Sequence, residues 1–233
     1  IVKDNNDPLG MGRVRVQFLW QAKRNEMTPW IRVVQPYTGG GKGFYFVPEI
    51  GEEVLVDFEG GNAERPFVIG AHYNGEAKSG YHNADNRVKA IHTKSGHKLI
   101  FTEDESILLT DKNGNVIKLD TQGKNIEISA PETINIIAKN ISLKASDSID
   151  LYANVNITET AGKAKRSDIS GDMSVFVKGI LTEIIEGEVH SQTLKGKTVI
   201  NNDGGIEIIS EKAINKNAKG QIQNKSGEKS KLY

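Results

Sequence analysis

Hydrophobic positions along the chain follow two different periods. From Gly12 to Trp20, Val14, Val16 and Phe18 alternate with Arg13, Arg15 and Gln17, the period-two signature of a half-buried strand. The run from Trp30 to Val34 is extended in the same way and ends at Pro36. Gly39 to Gly43 predicts a long loop or broad turn, after which Phe44 to Val47 resumes an extended run. Pro48 to Glu52 is a turn signal, Glu53 to Phe58 a strand, Gly60 to Pro66 a further turn, and Phe67 to Ala71 closes the set. Four or five short strands within about 65 residues predict a small β-barrel over residues 1–74. Alternation would point its aromatic side chains into the core and toward neighbouring subunits. Residues 75–124 read as a polar linker followed by extended segments from Ala90 to Asp120, with Asn113-Gly114 as a hairpin signal.

From Ile126 the period becomes eight. Ile126, Ile134, Ile141 and Ile149 follow one another at spacings of eight, seven and eight, and Ala130, Ala138, Ala145 and Ala153 keep the same rhythm. Farther on, Ile169, Val177, Ile185 and Leu194 each precede by two positions a glycine, namely Gly171, Gly179, Gly187 and Gly196. Ile206, Ile214 and Ile222 restore the step. Each unit holds about five alternating residues and three that turn a corner. A single-chain solenoid needs coils of roughly 18 residues or more to enclose its own core, so an eight-residue step predicts three chains wound about one axis. These aliphatic residues would fill the axis, and the glycines would supply a positive φ at the corners.

Residues 125–233 are therefore expected to form an intertwined triple-stranded β-helix, about 55 Å long if each step climbs one strand spacing. No single chain could bury such strips, so folding and trimerisation would be one event. Two interruptions are expected, at 158–168, which is nearly devoid of apolar residues, and at 201–205. The last residues are rich in lysine and asparagine and are expected to fray.

Composition narrows the functional classes. The formal net charge is zero, with 30 basic and 30 acidic residues, which argues against a general polyanion binder. There is no cysteine and hence neither disulfide nor thiol chemistry. No apolar run approaches the roughly 18 residues of a membrane-spanning helix, and the first residues lack the apolar core of a signal peptide. The chain opens on Ile1 rather than methionine, which suggests a piece of a longer polypeptide.

Several segments carry a family resemblance. Asp7-Pro-Leu-Gly-Met-Gly-Arg-Val-Arg-Val-Gln-Phe18, Trp30 to Pro36, Gly43 to Gly60 and Arg65 to Asn74 resemble the OB-fold domain of VgrG, the type VI secretion spike protein. The same domain occurs in central spike proteins of contractile phage tails. Ser95-Gly96-His97 and Asn113-Gly114-Asn115 resemble the segment that follows it. The resemblance implies an all-β homotrimer in which an OB-fold collar precedes a β-helical shaft. It also implies a tube protein (Hcp-like) reached through an N-terminal part that is missing here, and a PAAR-type tip protein on the blunt C-terminal end. Gly220, Ile222, Leu232 and Tyr233 are the candidate tip platform. The function implied is mechanical puncture of a target membrane with delivery of attached effectors. The protein would be assembled in the bacterial cytoplasm and secreted through the machine without a signal peptide.

Catalytic chemistry has little support. His72, His82, His92, His97 and His190 show no metal-ligand spacing, and solvated or hydrogen-bonded histidines account for them. Glu52-Glu53 and Glu103-Asp104-Glu105 read as solvated turns without a tuned acid–base partner. Gly39 to Gly43 lacks the order of a phosphate-binding loop and has no helix after it. No catalytic, metal or cofactor residue is expected. The alternatives are a phage baseplate spike and, from another class, an OB-fold nucleic-acid binder with an oligomerising tail. The latter would use Trp20, Trp30, Phe44, Tyr45 and Phe46 with Arg13, Arg15 and Arg32. Nucleic-acid binding does not require the attached repeat, so the spike is the expected reading.

Overall fold

The computed structural model describes residues 1–223 and 225. The chain divides into two units, one spanning Ile1–Ile149 and the other beginning at Asp150.

The first unit opens with a small barrel-like set of strands. β1 (Val2–Asp4) pairs antiparallel with β2 (Arg15–Val16), and an isolated bridge joins Val14 to Ile31. β3 (Arg32–Val33) runs parallel to β7 (Pro66–Ala71), which pairs antiparallel with β6 (Val54–Phe58). β4 (Thr38–Gly39) and β5 (Lys42–Gly43) make a short hairpin. The alternating pattern is realised only in part: after Val16 the chain enters a 3-10 turn at Leu19–Arg24, and Phe44 to Val47 joins no strand. β1 has no counterpart among the strands that the alternation predicts.

Small β-branched residues fill the core, contrary to the expectation of aromatics there. Val2, Val14, Val16, Ile31 and Val68 are buried, with Phe18, Val33, Val47, Val54 and Val56 against them. Trp20 and Tyr45 are more than 70% exposed, and Phe44 and Phe46 are also exposed. The physical reason is size. Strands of two to six residues enclose too little volume for large rings, and β-branched side chains pack the pleat tightly. Thr28 is the buried polar side chain here, and its Oγ1 accepts from the Val16 N–H at 3.0 Å.

After the barrel, residues 72–88 lie in no strand, and the extended segments that follow pair into a five-stranded antiparallel meander. It runs β8 (Lys89–His92), β9 (Lys98–Phe101), β10 (Ile107–Thr110), β11 (Val116–Asp120) and β12 (Asn125–Ser129) in sequential order. The β10–β11 connection uses the Asn-Gly signal within a five-residue loop. Asp111 Oδ1 accepts from the Asn113 and Asn115 N–H groups, and Gly114 has φ +93°. Among the described residues none beyond Ser129 lies in a strand, and every described residue from 131 is exposed.

Candidate self-association surface

Register decides what the meander presents. Phe101, Ile107, Leu119 and Ile126 lie across from one another in a row, and so do Ile91, Leu99, Leu109, Ile117 and Ile128. Side chains alternate between faces, so both rows stand on one face, where Lys89 at its edge is the lone charge. The opposite face carries Lys98, Lys118, Asp120 and Glu127 among its residues. An antiparallel sheet patterned like this has one face for water and one for a core. Nothing among the described residues completes that core: Leu109 and Phe101 are almost half exposed, and Ile126 and Ile128 are more so. The edge of β12 is also left unpaired.

β12 is at once the last strand of this sheet and the first repeat unit. Ile126, the first repeat position, continues the row of Leu119. The repeat thus inherits its inward face from the meander, a link that the spacing alone does not reveal. The cross-strand register carries this signal, and the alternation in Ile107 to Leu109 and Val116 to Asp120 holds its trace in the sequence.

Beyond Ser129 the backbone turns corners at regular intervals. In the first unit it bends at 131–132, 139 and 146–147. In the second it bends at 154–155, 162–163, 170–171, 178–179, 186–187, 194–196, 203–204, 211–212 and 219–220. The polar stretches at 158–168 and 201–205 each contain a bend, at 162–163 and 203–204, that continues the series.

The bends also sort the repeat residues into two columns. Ile126, Ile134, Ile141 and Ile149, and later Ile206 and Ile214, lie five residues before a bend, and Ile222 continues this spacing. Ile169, Val177 and Ile185 lie immediately before one, in the column held by Ala138, Ala145 and Ala153 earlier in the chain. Where the first column holds isoleucine the second holds a small residue, alanine or, at 210, serine. Where the second holds Ile169, Val177 and Ile185, the first holds Lys165, Met173 and Leu181. The later steps thus carry two large side chains where the earlier ones carry one large and one small.

Exposure separates inward from outward positions even in one chain. Ile134, Ile141, Ile149, Ile169, Val177 and Ile185 are 44–54% exposed, whereas Ile137, Tyr152, Phe176 and Ile184 are 87–91% exposed. Leu194 does not belong with the first group. It sits in the bend at 194–196 within a nine-residue step and is 85% exposed.

The corner glycines differ from expectation. Gly171, Gly179 and Gly187 stand in bends without a positive φ, and a Cβ on any of them would meet nothing within 4 Å; of the four, only Gly196 has a positive φ, +90°. Gly220 lies in the last described bend and Ile222 just after it, while Leu232 and Tyr233 lie outside the described residues.

Several of the remaining candidates for chemistry are engaged locally. Arg13 makes a paired contact with Asp7, through Nη2 to Oδ1 at 2.7 Å and Nε to Oδ2 at 2.9 Å. Asp7 also accepts from the Leu9, Met11 and Arg13 N–H groups, and the Arg13 guanidinium first, then these backbone donors, hold its carboxyl well below the usual range. Arg15 lies over the Trp30 ring at 5.9 Å and donates to the Thr28 carbonyl, and Arg32 pairs with Glu59 at 3.2 Å. The arginines that would read a nucleic-acid backbone are thus partnered within the chain. His92 Nδ1 meets the Tyr81 hydroxyl at 3.0 Å and His190 Nε2 meets Glu188 at 3.0 Å.

Fold and surface together define an all-β protein whose small barrel leads, through a one-faced sheet, into a repeat that lacks its own core. Residues 1–73 match the type VI secretion system/phage-baseplate injector OB domain. The chain is 38% identical over 80 residues to the type VI secretion system spike protein VgrG2a of Pseudomonas aeruginosa, covering 33% of this chain and 10% of that protein. It is 36% identical over 111 residues to VgrG1a of the same organism, covering 44% of this chain and 17% of that protein. Over 103 residues it is 29% identical to the actin cross-linking toxin VgrG1 of Vibrio cholerae, covering 41% and 9%. The chain thus matches less than a fifth of the length of these relatives. Its N-terminal part is similar to VgrG spike proteins, and residues 1–73 match the injector OB domain.

Proposed function

We propose that three copies of this chain assemble into the shaft and collar of a contractile injection spike, with the apolar face of β8–β12 and both repeat columns turned toward a common axis. The observation that carries this reading is the continuity of the row Phe101, Ile107, Leu119 and Ile126 into the eight-residue repeat. An uncovered apolar sheet face of this size marks an association surface. A strip of half-exposed aliphatic side chains with a corner every eight residues is completed by neighbouring strands of other copies. The relatives named as type VI spike proteins support the spike role.

On this reading the protein works mechanically rather than catalytically. A stiff shaft concentrates the thrust of a contracting sheath on a narrow end, breaches a target membrane and carries attached effectors through it. The region around Gly220 and Ile222 leads to the end that would seat a PAAR-type tip protein, and a tube protein would meet the collar side. Assembly takes place in the bacterial cytoplasm, and export proceeds through the machine itself.

Light scattering, followed by denaturing gels of unheated and heated samples, tests the assembly. The expected result is three times the chain mass and a band that collapses only on heating. A stable folded monomer would overturn the proposal.

A further inference from the structure

Two asparagines in the chain are followed by glycine, Asn74 and Asn113. A glycine nitrogen has no neighbouring Cβ to shield it, so it can approach and attack the side-chain carbonyl of the preceding asparagine, itself a thermolabile residue. The fold treats the two sites differently. The Asn74 amide is bound at both ends: Nδ2 donates to Glu53 Oε2 at 2.8 Å, and Oδ1 accepts from the Glu76 and Ala77 N–H groups at 3.0 and 2.8 Å. Turning its Cγ onto the Gly75 nitrogen would break these contacts.

Asn113 stands exposed in the β10–β11 loop, and its side chain makes no hydrogen bond to any described residue. The loop is closed without it. Asp111 Oδ1 accepts from the Asn113 and Asn115 N–H groups, and Oδ2 accepts from Asn115 Nδ2 at 2.7 Å. Asn115 is thereby pinned, and the branched side chain of Val116 shields the nitrogen that follows it.

We infer that Asn113 is a self-modifying site, converting spontaneously to aspartate and isoaspartate in the folded protein while Asn74 is preserved.

The Gly114 nitrogen attacks Asn113 Cγ. A new Cγ–N bond forms, the Cγ–Nδ2 bond breaks, and Nδ2 departs as ammonia with the proton that the Gly114 nitrogen gives up. Water then opens the cyclic imide. Cleavage at Cγ leaves aspartate, whereas cleavage at the backbone carbonyl leaves isoaspartate, with the chain routed through the former side chain. Either product adds a negative charge near Asp111, and isoaspartate lengthens a loop whose closing contacts run from Asn113 and Asn115 to that carboxylate. The change falls where the repeat leaves the sheet: a Cβ built on Gly114 would stand 3.5 Å from Pro131 Cγ, and Pro131 opens the first bend.

The intact chain, incubated at neutral and mildly alkaline pH, is digested and mapped by chromatography and mass spectrometry, which separate asparagine, aspartate and isoaspartate at each position. Asn113 should convert about ten-fold faster than Asn74 or more, because three hydrogen bonds restrain the latter. In concentrated urea the two rates should converge. Glu53→Ala should raise conversion at Asn74 several-fold in the folded protein and leave Asn113 unchanged. Equal rates at the two sites in the folded chain, or a gap that survives undiminished in urea, would overturn the assignment. Failure of Asn113 to convert in the folded chain over a time in which the urea-unfolded chain converts would overturn it too.

Discussion

Leu119 and Ile126 stand directly opposite each other across β11 and β12, and that pairing joins a folded sheet to a repeat that has no ladder of its own. If the face they share is an interface, a charge placed in it must be buried without a partner or prevent assembly. Ile117→Asp, one position in from the β12 edge, is expected to give monomers with a folded barrel, because an unpaired carboxylate at that position costs several kcal/mol. Lys118→Glu, on the opposite face, should leave the mass unchanged. Light scattering on both variants checks the pair, and a trimeric Ile117→Asp protein would place the interface elsewhere.

The distinction between Ile185 and Leu194 gives a second test. Both precede a glycine by two residues, yet Ile185 is half exposed just before a bend and Leu194 projects from one. Ile185→Asp is expected to abolish the oligomer. Leu194→Asp is expected to change stability by no more than about 0.5 kcal/mol, the range of surface substitutions. Denaturant unfolding of assembled protein separates the two, and equal effects would remove the distinction between corner and column.

This pair also shows how far the sequence is legible. Period two announces the barrel, and period eight announces the repeat and its step, because both are properties of apolar placement that need no knowledge of tertiary contacts. The phase is harder to read: Ile134 and Ile169 look alike in a series of spacings, and only the positions of the bends assign them to different columns. Residues 98–120 show extended segments but no common face, since strand alternation is visible locally whereas register is set by pairing between strands. The aromatic residues mislead for another reason. Their alternation matches an inward face, while the barrel interior is filled by Val2, Val14 and Val68, with the Phe18 ring packed at its margin.

Acid should unfold the barrel through Asp7. Its carboxyl is held well below the usual range by Arg13, and Asp104 and Asp111 are lowered chiefly by hydrogen bonds from Thr102 and Asn115. A carboxyl whose folded-state value is depressed stabilises the fold fully above its unfolded value near 3.9 and loses that contribution as the pH falls through the folded value. Stability is therefore expected to vary little with these groups from neutral pH to about pH 5 and to decline below about pH 4. Asp7→Asn should flatten the decline and lower stability at neutral pH, because Arg13 then lacks its carboxylate. Urea unfolding midpoints at a series of pH values measure both effects.

Two glycines separate backbone need from mere flexibility. Gly43 has φ +129°, and a Cβ there would strike the Tyr37 carbonyl oxygen and the Thr38 Cα. Gly43→Ala must strain the backbone or open the β4–β5 hairpin, and a loss of about 1–3 kcal/mol is expected. Gly179 has no positive φ, and an added Cβ would find no neighbour within 4 Å. Gly179→Ala should therefore be neutral or stabilise by about 0.4–1 kcal/mol, since alanine narrows the unfolded ensemble without clashing in the folded one. The same substitution in the assembled protein tests more than the single chain does. If neighbouring copies crowd the corners, Gly179→Ala will lower the melting temperature of the oligomer while leaving β4–β5 untouched. If the corners face water it will not. Thermal melts of the two variants distinguish these outcomes, and a destabilised Gly179→Ala oligomer would show that the corner glycines serve packing between chains rather than backbone conformation.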